Sequence, residues 1–340
     1  MDQITNPHDK FFKEVFTRRD TAREFLLNYL PDDVVKLLDL DSLKYTKDSF
    51  IDKHLKEYFS DLLLQVYLKD GPPGYVYILF EHKSYQESLT AFYLLRYMVK
   101  IWETWLKKRE KKKGEKTVLP VIIPLVLYHG EEHWQVRLNF RDLFHSHRDM
   151  LSFIPDFQYL LWDASGYKDE DIKGKVILRV TLLLMKYIFR EDLIDHLPGI
   201  LSLLRDLSEK RTGLEYLETI LKYILNAAPN VNYEDVRAAV DKALPDKGGE
   251  IMPTIADVLR EEGMQQGMQQ GMQQGMQQGL LEEGREVILE VLDERFNEVP
   301  SFIFNVVNQT KDRDALKFLL RRAVRCTSLE EFEQAINERN

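Results

Sequence analysis

The chain has 340 residues, of which 44% are hydrophobic and 30% charged, a length that fits roughly two domains. That apolar content supports a sizeable core and excludes a wholly disordered protein. The net charge of −9, from 47 basic and 56 acidic residues, argues against a generally basic coat for nucleic acid. The charge is uneven, however. Residues 1–120 carry 21 basic and 19 acidic residues, and residues 121–340 carry 26 and 37. The front third is therefore the part suited to approach a polyanion.

Cys326 is the one cysteine, which excludes an intramolecular disulfide framework and a cysteine-based zinc cluster within one chain. The longest apolar stretch, 176–189, is interrupted by Arg179 and Lys186 and is too short to span a bilayer. Residues 1–10 lack the apolar run of a signal peptide. A cytoplasmic protein with no membrane partner is expected.

In chain order, His8 to Leu30 predicts a helix, started by Asn6-Pro7 and stopped at Pro31. Val34 to Leu40 predicts a shorter helix or turn. Glu57 to Leu68 and Gly74 to Lys83 are short runs rich in aromatic and aliphatic residues, separated by Lys69-Asp70-Gly71-Pro72-Pro73. They predict a hairpin in a sheet covered on both faces. Leu89 to Lys108 returns to helical period, Leu119 to Tyr128 predicts a strand, and Phe157 to Trp162 a further short one. This order points to a small α/β core. Lys173 to Ala243 is helical in pattern throughout.

Gly-Met-Gln-Gln then occurs four times in succession, over residues 263–278. In a helix each four-residue step turns about 400°, so Met264, Met268, Met272 and Met276 would form a slowly rotating stripe. Glycine at every fourth position costs about 1 kcal/mol each relative to alanine. The segment reads either as a flexible linker or as a self-association helix. Leu280 to Phe296, Ala315 to Val324 and Leu329 to Ile336 predict a small helical tail.

The hairpin carries charges where an apolar strand should not. Asp61 begins one strand, and Glu81 and Lys83 end its partner on a shared face. Burying such groups costs several kcal/mol unless they pair or bind an ion. Two carboxylates suit a hard divalent cation such as Mg²⁺, and a lysine beside them can orient an attacking water and stabilise developing charge. Strand-end charges also commonly meet solvent or each other, and short patterns of this kind arise by chance.

The ordered segments go further. His8-Asp9 and Phe12-Lys13, then Tyr58 to Leu62, Tyr77 to Ser84, Ala91 to Tyr97 and Pro124 to Gly130 resemble the Rpn family of recombination-promoting nucleases, also labelled YhgA-type transposases. The helix–strand-Asp–strand-Glu-x-Lys–helix–strand order resembles the wider PD-(D/E)XK nuclease superfamily. The resemblance is strongest over 7–165. It implies an α/β restriction-endonuclease-like core of helix, mixed sheet and helix, with an α-helical C-terminal extension. It also implies a metal-dependent DNA endonuclease that promotes recombination. Asp61 and Glu81 match the metal-binding carboxylates, and Lys83 the residue often found as Gln in Rpn members. Asp9 matches the His-Asp start and is ranked above Glu14 as a third acid; five residues apart on a helix, the two cannot face one metal.

Around this set, Arg96 is expected to meet a phosphate, Tyr97 to orient Lys83 or water, and His129 to touch DNA or support the site. Lys107 to Lys116 holds seven basic and two acidic residues. Within it Lys107, Lys108, Arg109, Lys111, Lys112 and Lys113 are expected to hold the DNA backbone in a salt-sensitive, sequence-independent way. The expected organisation is a nuclease domain over 1–170, a helical extension over 171–260, the repeat over 261–284 and a tail over 285–340. A homo-oligomer would form through the C-terminal helical region. The alternatives are a non-catalytic DNA-binding protein that retains the fold, and a helical assembly protein.

Overall fold

The central sheet forms where apolar runs are bounded by Gly, Pro and charge. In this computed structural model, residues 7–46, 61–69, 75–108, 117–145, 148–207, 211–245 and 248–337 are described. Five strands, β1 (Leu38–Tyr45), β2 (Asp61–Leu68), β3 (Tyr75–Lys83), β4 (Val121–Tyr128) and β5 (Leu160–Asp163), lie side by side in chain order. β1, β2 and β3 are antiparallel neighbours, whereas β4 and β5 run parallel to β3. The result is a mixed sheet in a mixed α/β unit. A parallel step needs a crossover, and between β3 and β4 that crossover contains the helix Thr90–Lys108.

Both faces of the sheet are covered. Leu62, Leu63, Leu64 and Val66 are all buried, which is possible only when successive, oppositely pointing side chains both find cover. One face packs on the helix Thr90–Lys108: Ala91, Leu94, Tyr97, Met98 and Ile101 share a core with Leu63, Ile122 and Val126. Helices near the N-terminus serve the other face, where Phe25 and Tyr29 meet Trp162 edge-on at 6.0 and 5.6 Å.

The single helix expected over His8 to Leu30 is two: α1 (Pro7–Phe16) and α2 (Arg19–Tyr29). Phe16 and Phe25 are nine residues apart, half a turn out of phase on a straight helix. The break at Thr17-Arg18, with Arg18 extended, lets both rings be fully buried and meet at 5.5 Å. The helix or turn expected over Val34 to Leu40 is also corrected. A one-and-a-half-turn helix, α3 (Asp32–Leu37), gives way to β1, where Leu38 and Leu40 alternate with aspartates at the strand period. Arg19 and Arg23 anchor that edge strand through the Leu43 carbonyl and the Asp41 side chain at 3.1 and 2.9 Å.

The helix Thr90–Lys108 is α4. After β5 come α5 (Val176–Tyr187), α6 (Leu193–Ser202), α7 (Arg211–Ala227) and α8 (Tyr233–Ala243). α2 is tied to the start of α5: Glu24 accepts from the Lys175 amide at 2.5 Å, and the Tyr29 hydroxyl meets the Lys173 backbone at 2.7 and 2.9 Å. These helices belong to the same compact unit as the sheet, residues 1–255.

A second unit comprises residues 256–340. α9 (Gly248–Phe296) contains the whole Gly-Met-Gln-Gln repeat in helical form, with its four methionines 68–73% exposed. It stops at Asn297, whose φ of 63° is a left-handed helix end. The tail has one helix more than its pattern predicts: α10 (Ser301–Gln309) precedes α11 (Arg313–Arg325) and α12 (Leu329–Asn337). Ile288, Leu292, Ile303, Val307, Leu316, Leu319 and Phe332 form its core. Arg295 closes the end of α11, donating to the Cys326 carbonyl at 2.7 Å. Among the described residues, no helix is long and apolar enough to cross a membrane.

Candidate functional site

The hairpin register fixes the relation among the three charged strand positions. Asp61 and Glu81 are direct partners across the antiparallel β2–β3 pair. Directly opposed positions share one face of a sheet, and Lys83, two residues beyond Glu81, shares it as well. For these three residues the described structure is the backbone. Glu81 is in turn the partner of Val126 on β4, and Lys83 that of Tyr128. Leu63 and Val126 pack on α4, so the three positions belong to the face that α4 covers.

Tyr97 is buried in that same cluster. Arg96, one position before it, is exposed, with its guanidinium 6.0 Å from the Tyr93 ring centre. Lys107 is exposed near the end of α4, and Lys108 is its last residue. Arg109, Lys111, Lys112 and Lys113 lie outside the described residues.

The loop after β4 is fastened to the end of β3. The Gln86 amide donates to the His133 carbonyl at 3.0 Å and accepts from the Gln135 amide at 2.8 Å. Asp163, at the end of β5, accepts from the Trp134 amide at 2.9 Å. Gly130 sits where a side chain has no room, since a Cβ there would lie 2.8 Å from the Ser84 carbonyl oxygen and overlap the Tyr128 hydroxyl. The glycine therefore permits close approach of the two strand ends beside Lys83.

His129 is fully buried. Its ring stacks on Phe189 at 5.5 Å and lies 5.3 Å from His8, so it packs behind the strand end and offers no surface to a DNA backbone. His8 hydrogen-bonds Tyr223 through Nδ1 at 2.9 Å, and Phe11 stacks on the same tyrosine at 4.0 Å. Burial pushes the His8 pKa down to about 4, so the ring is neutral at neutral pH. Neither Tyr223 nor Phe189 stands out in the sequence; the one signal there is the His8-Asp9 pair itself.

The contact between His8 and His129 brings the start of α1 to the C-terminal end of β4. Asp9 is the next residue along α1. Burial raises its pKa, and Lys13, donating at 3.0 Å, partly opposes the rise. Glu14 goes elsewhere: it is exposed and accepts a hydrogen bond from Thr219 on α7 at 2.6 Å.

The donor chemistry of Asp61, Glu81 and Asp9 fits a divalent cation. All three offer hard oxygen, and the cost of keeping a half-buried Asp9 ionised is one that a cation would offset. Among the residues whose side chains are described, a set that leaves out Asp61 and Glu81, no cluster of three His, Cys, Asp or Glu is arranged to hold a metal ion.

Residues 6–215 match the family model described as "Putative transposase, YhgA-like". The chain is 33% identical over 264 residues to the recombination-promoting nuclease RpnA of Escherichia coli K12, covering 77% of this chain and 86% of that one. It is 32% identical to the inactive recombination-promoting nuclease-like protein RpnE of the same strain, covering 77% and 84%. The nuclease RpnC, also of that strain, is 30% identical over 77% and 83%. No solved structure matches. With the family model spanning more than half the chain and relatives matched over most of their length, the chain belongs to the YhgA-like family of recombination-promoting nucleases.

Proposed function

We propose that this chain is a metal-dependent DNA endonuclease of the PD-(D/E)XK type that promotes recombination by breaking DNA. The observation that carries this reading is the register: Asp61 faces Glu81 directly, with Lys83 on the same face. Asp61 and Glu81 would hold Mg²⁺, with Asp9 as the third acid. A cation held there would supply charge neutralisation at the scissile phosphate. Lys83 orients the attacking water and stabilises the charge that develops on the phosphate oxygens. Tyr97, on the helix over this face, positions that lysine. Exposed Arg96, Lys107 and the basic residues up to Lys113 hold the backbone through charge, without reading sequence.

RpnE, inactive by name, is about as similar to this chain as RpnA. Overall identity therefore does not separate an active member from an inactive one, and the residues must. Here all three of Asp61, Glu81 and Lys83 are present, which favours cleavage over a DNA-binding role alone.

Plasmid nicking tests the reading. Wild type should nick supercoiled plasmid with Mg²⁺ and stop with EDTA. Asp61→Ala and Lys83→Ala should each lose at least about 100-fold in rate, the scale of a lost general catalyst. Equal cleavage by wild type and both variants sinks the assignment.

A further inference from the structure

The second unit is acidic as a whole, yet one helix in it is not. Residues 256–340 hold 10 basic and 16 acidic residues, while 311–325 hold six and two. α11 therefore forms a basic island in an acidic surrounding, and its charges are ordered. Arg313, Lys317, Arg321 and Arg325 recur every four residues, and all four are exposed. Each step advances about 6 Å along the helix and turns about 40°. The stripe is thus about 18 Å long and spans about 120° of the surface.

The opposite side of α11 is already used. Leu316, Leu319 and Ala323 are buried in the core of the unit. Little apolar surface remains beside the stripe except Val324. A membrane-surface helix needs an apolar face to insert, and a protein interface needs an apolar or aromatic centre. Val324 and the half-buried Phe318, which Arg322 covers at 5.4 Å, are too little for either. Lys317 has Asp314 at 3.4 Å. Among the described residues, Arg313, Arg321 and Arg325 have no carboxylate within ion-pair distance.

Basic groups at a four-residue spacing, three of them guanidinium groups with no ion-pair partner among the described residues, suit a partner that is itself a regular line of anions. Arginine matches phosphate better than lysine does because its planar fork can donate two hydrogen bonds at once. We propose that this face of α11 binds the phosphate backbone of nucleic acid, as a second contact surface separate from the sheet edge and the basic segment after α4. The proposal does not depend on cleavage.

The test uses the full chain in EDTA with a random-sequence DNA duplex, measuring affinity by fluorescence anisotropy across a salt series. Arg313→Gln/Arg321→Gln/Arg325→Gln should weaken binding about tenfold or more near 0.1 M salt. It should also make the slope of log affinity against log salt shallower by about 2.7, at roughly 0.9 per lost phosphate contact. Arg321→Gln alone should produce about one third of that change, and Arg322→Gln, on the side away from the stripe's midline, much less. Unchanged melting and circular dichroism would tie the loss to the surface. An unchanged slope in the triple variant overturns the proposal, as does an equal effect of Arg321→Gln and Arg322→Gln, which would reflect bulk charge only. A loss accompanied by a changed sedimentation coefficient of the free protein also overturns it, because the stripe would then bind another copy of the chain. Failure of the nicking assay with an intact salt effect would refute the nuclease reading and leave this surface standing.

Discussion

The two units solve the problem of charge in opposite ways. The first places Asp61, Glu81 and Lys83 on strands whose neighbours are buried leucines and valines, and it buries His8 and His129 outright. The second keeps an apolar core of Ile288, Leu292, Leu319 and Phe332 and sends its charges outward. Charges beside a core are costly and seldom persist without a task. Charges on a helix exterior cost almost nothing and can be arranged freely. Chemistry is thus expected from the first unit, and contact from the second.

Four measurements break or sharpen this contrast. The largest effect is on cleavage: Glu81→Ala should lower nicking by about 100-fold or more, whereas Arg321→Gln should leave nicking at saturating DNA nearly unchanged. Equal losses would erase the distinction. Next is core truncation in the second unit. Phe332→Ala should cost about 3–5 kcal/mol by chemical denaturation, while Met264→Gln, at a site 71% exposed, should shift stability by less than about 0.5 kcal/mol.

The third is a pH effect confined to the first unit. The His8 pKa is lowered in the folded state to about 4. Its contribution is full above the unfolded value of about 6.5 and is lost as pH falls toward 4, a change of up to ~3 kcal/mol. Denaturation series at pH 7 and pH 4.5 should show it, and His8→Phe should flatten it. The smallest is Asp9→Asn. Because burial raises this carboxyl's pKa, removing its charge should stabilise the metal-free protein at neutral pH by less than about 1 kcal/mol. The gain should disappear below the unfolded carboxyl pKa near 3.9 and should come with weaker Mg²⁺ dependence of nicking.

The hairpin and its charged positions were legible because strand alternation is local: Glu81 and Lys83 share a face whatever the rest of the chain does. The opposition of Asp61 to Glu81 follows from the register across the loop, which a Gly-Pro-Pro turn announces without fixing. β1 is hard to read because Leu38 and Leu40 keep the strand period but Leu43, three residues on, breaks it at an irregularity in the register, and a short helix reads the same residues equally well. The α1–α2 break was hidden because no Gly or Pro marks it; the cause is the burial of Phe16 and Phe25 together. The separation of Asp9 from Glu14 was half legible. Helical phase says that they diverge, but only the partner of Glu14, Thr219, gives the direction.

The bond between His8 and Tyr223 joins residues 215 positions apart. At a synthesis rate of about 5–20 residues per second, roughly 10–45 s pass between the two leaving the ribosome's catalytic centre. Through that interval α1 has neither its hydrogen-bond partner nor the ring on which Phe11 stacks. The start of α1 cannot take its final packing until α7 has been made. A chain broken off before residue 223 would keep α1 without this partner.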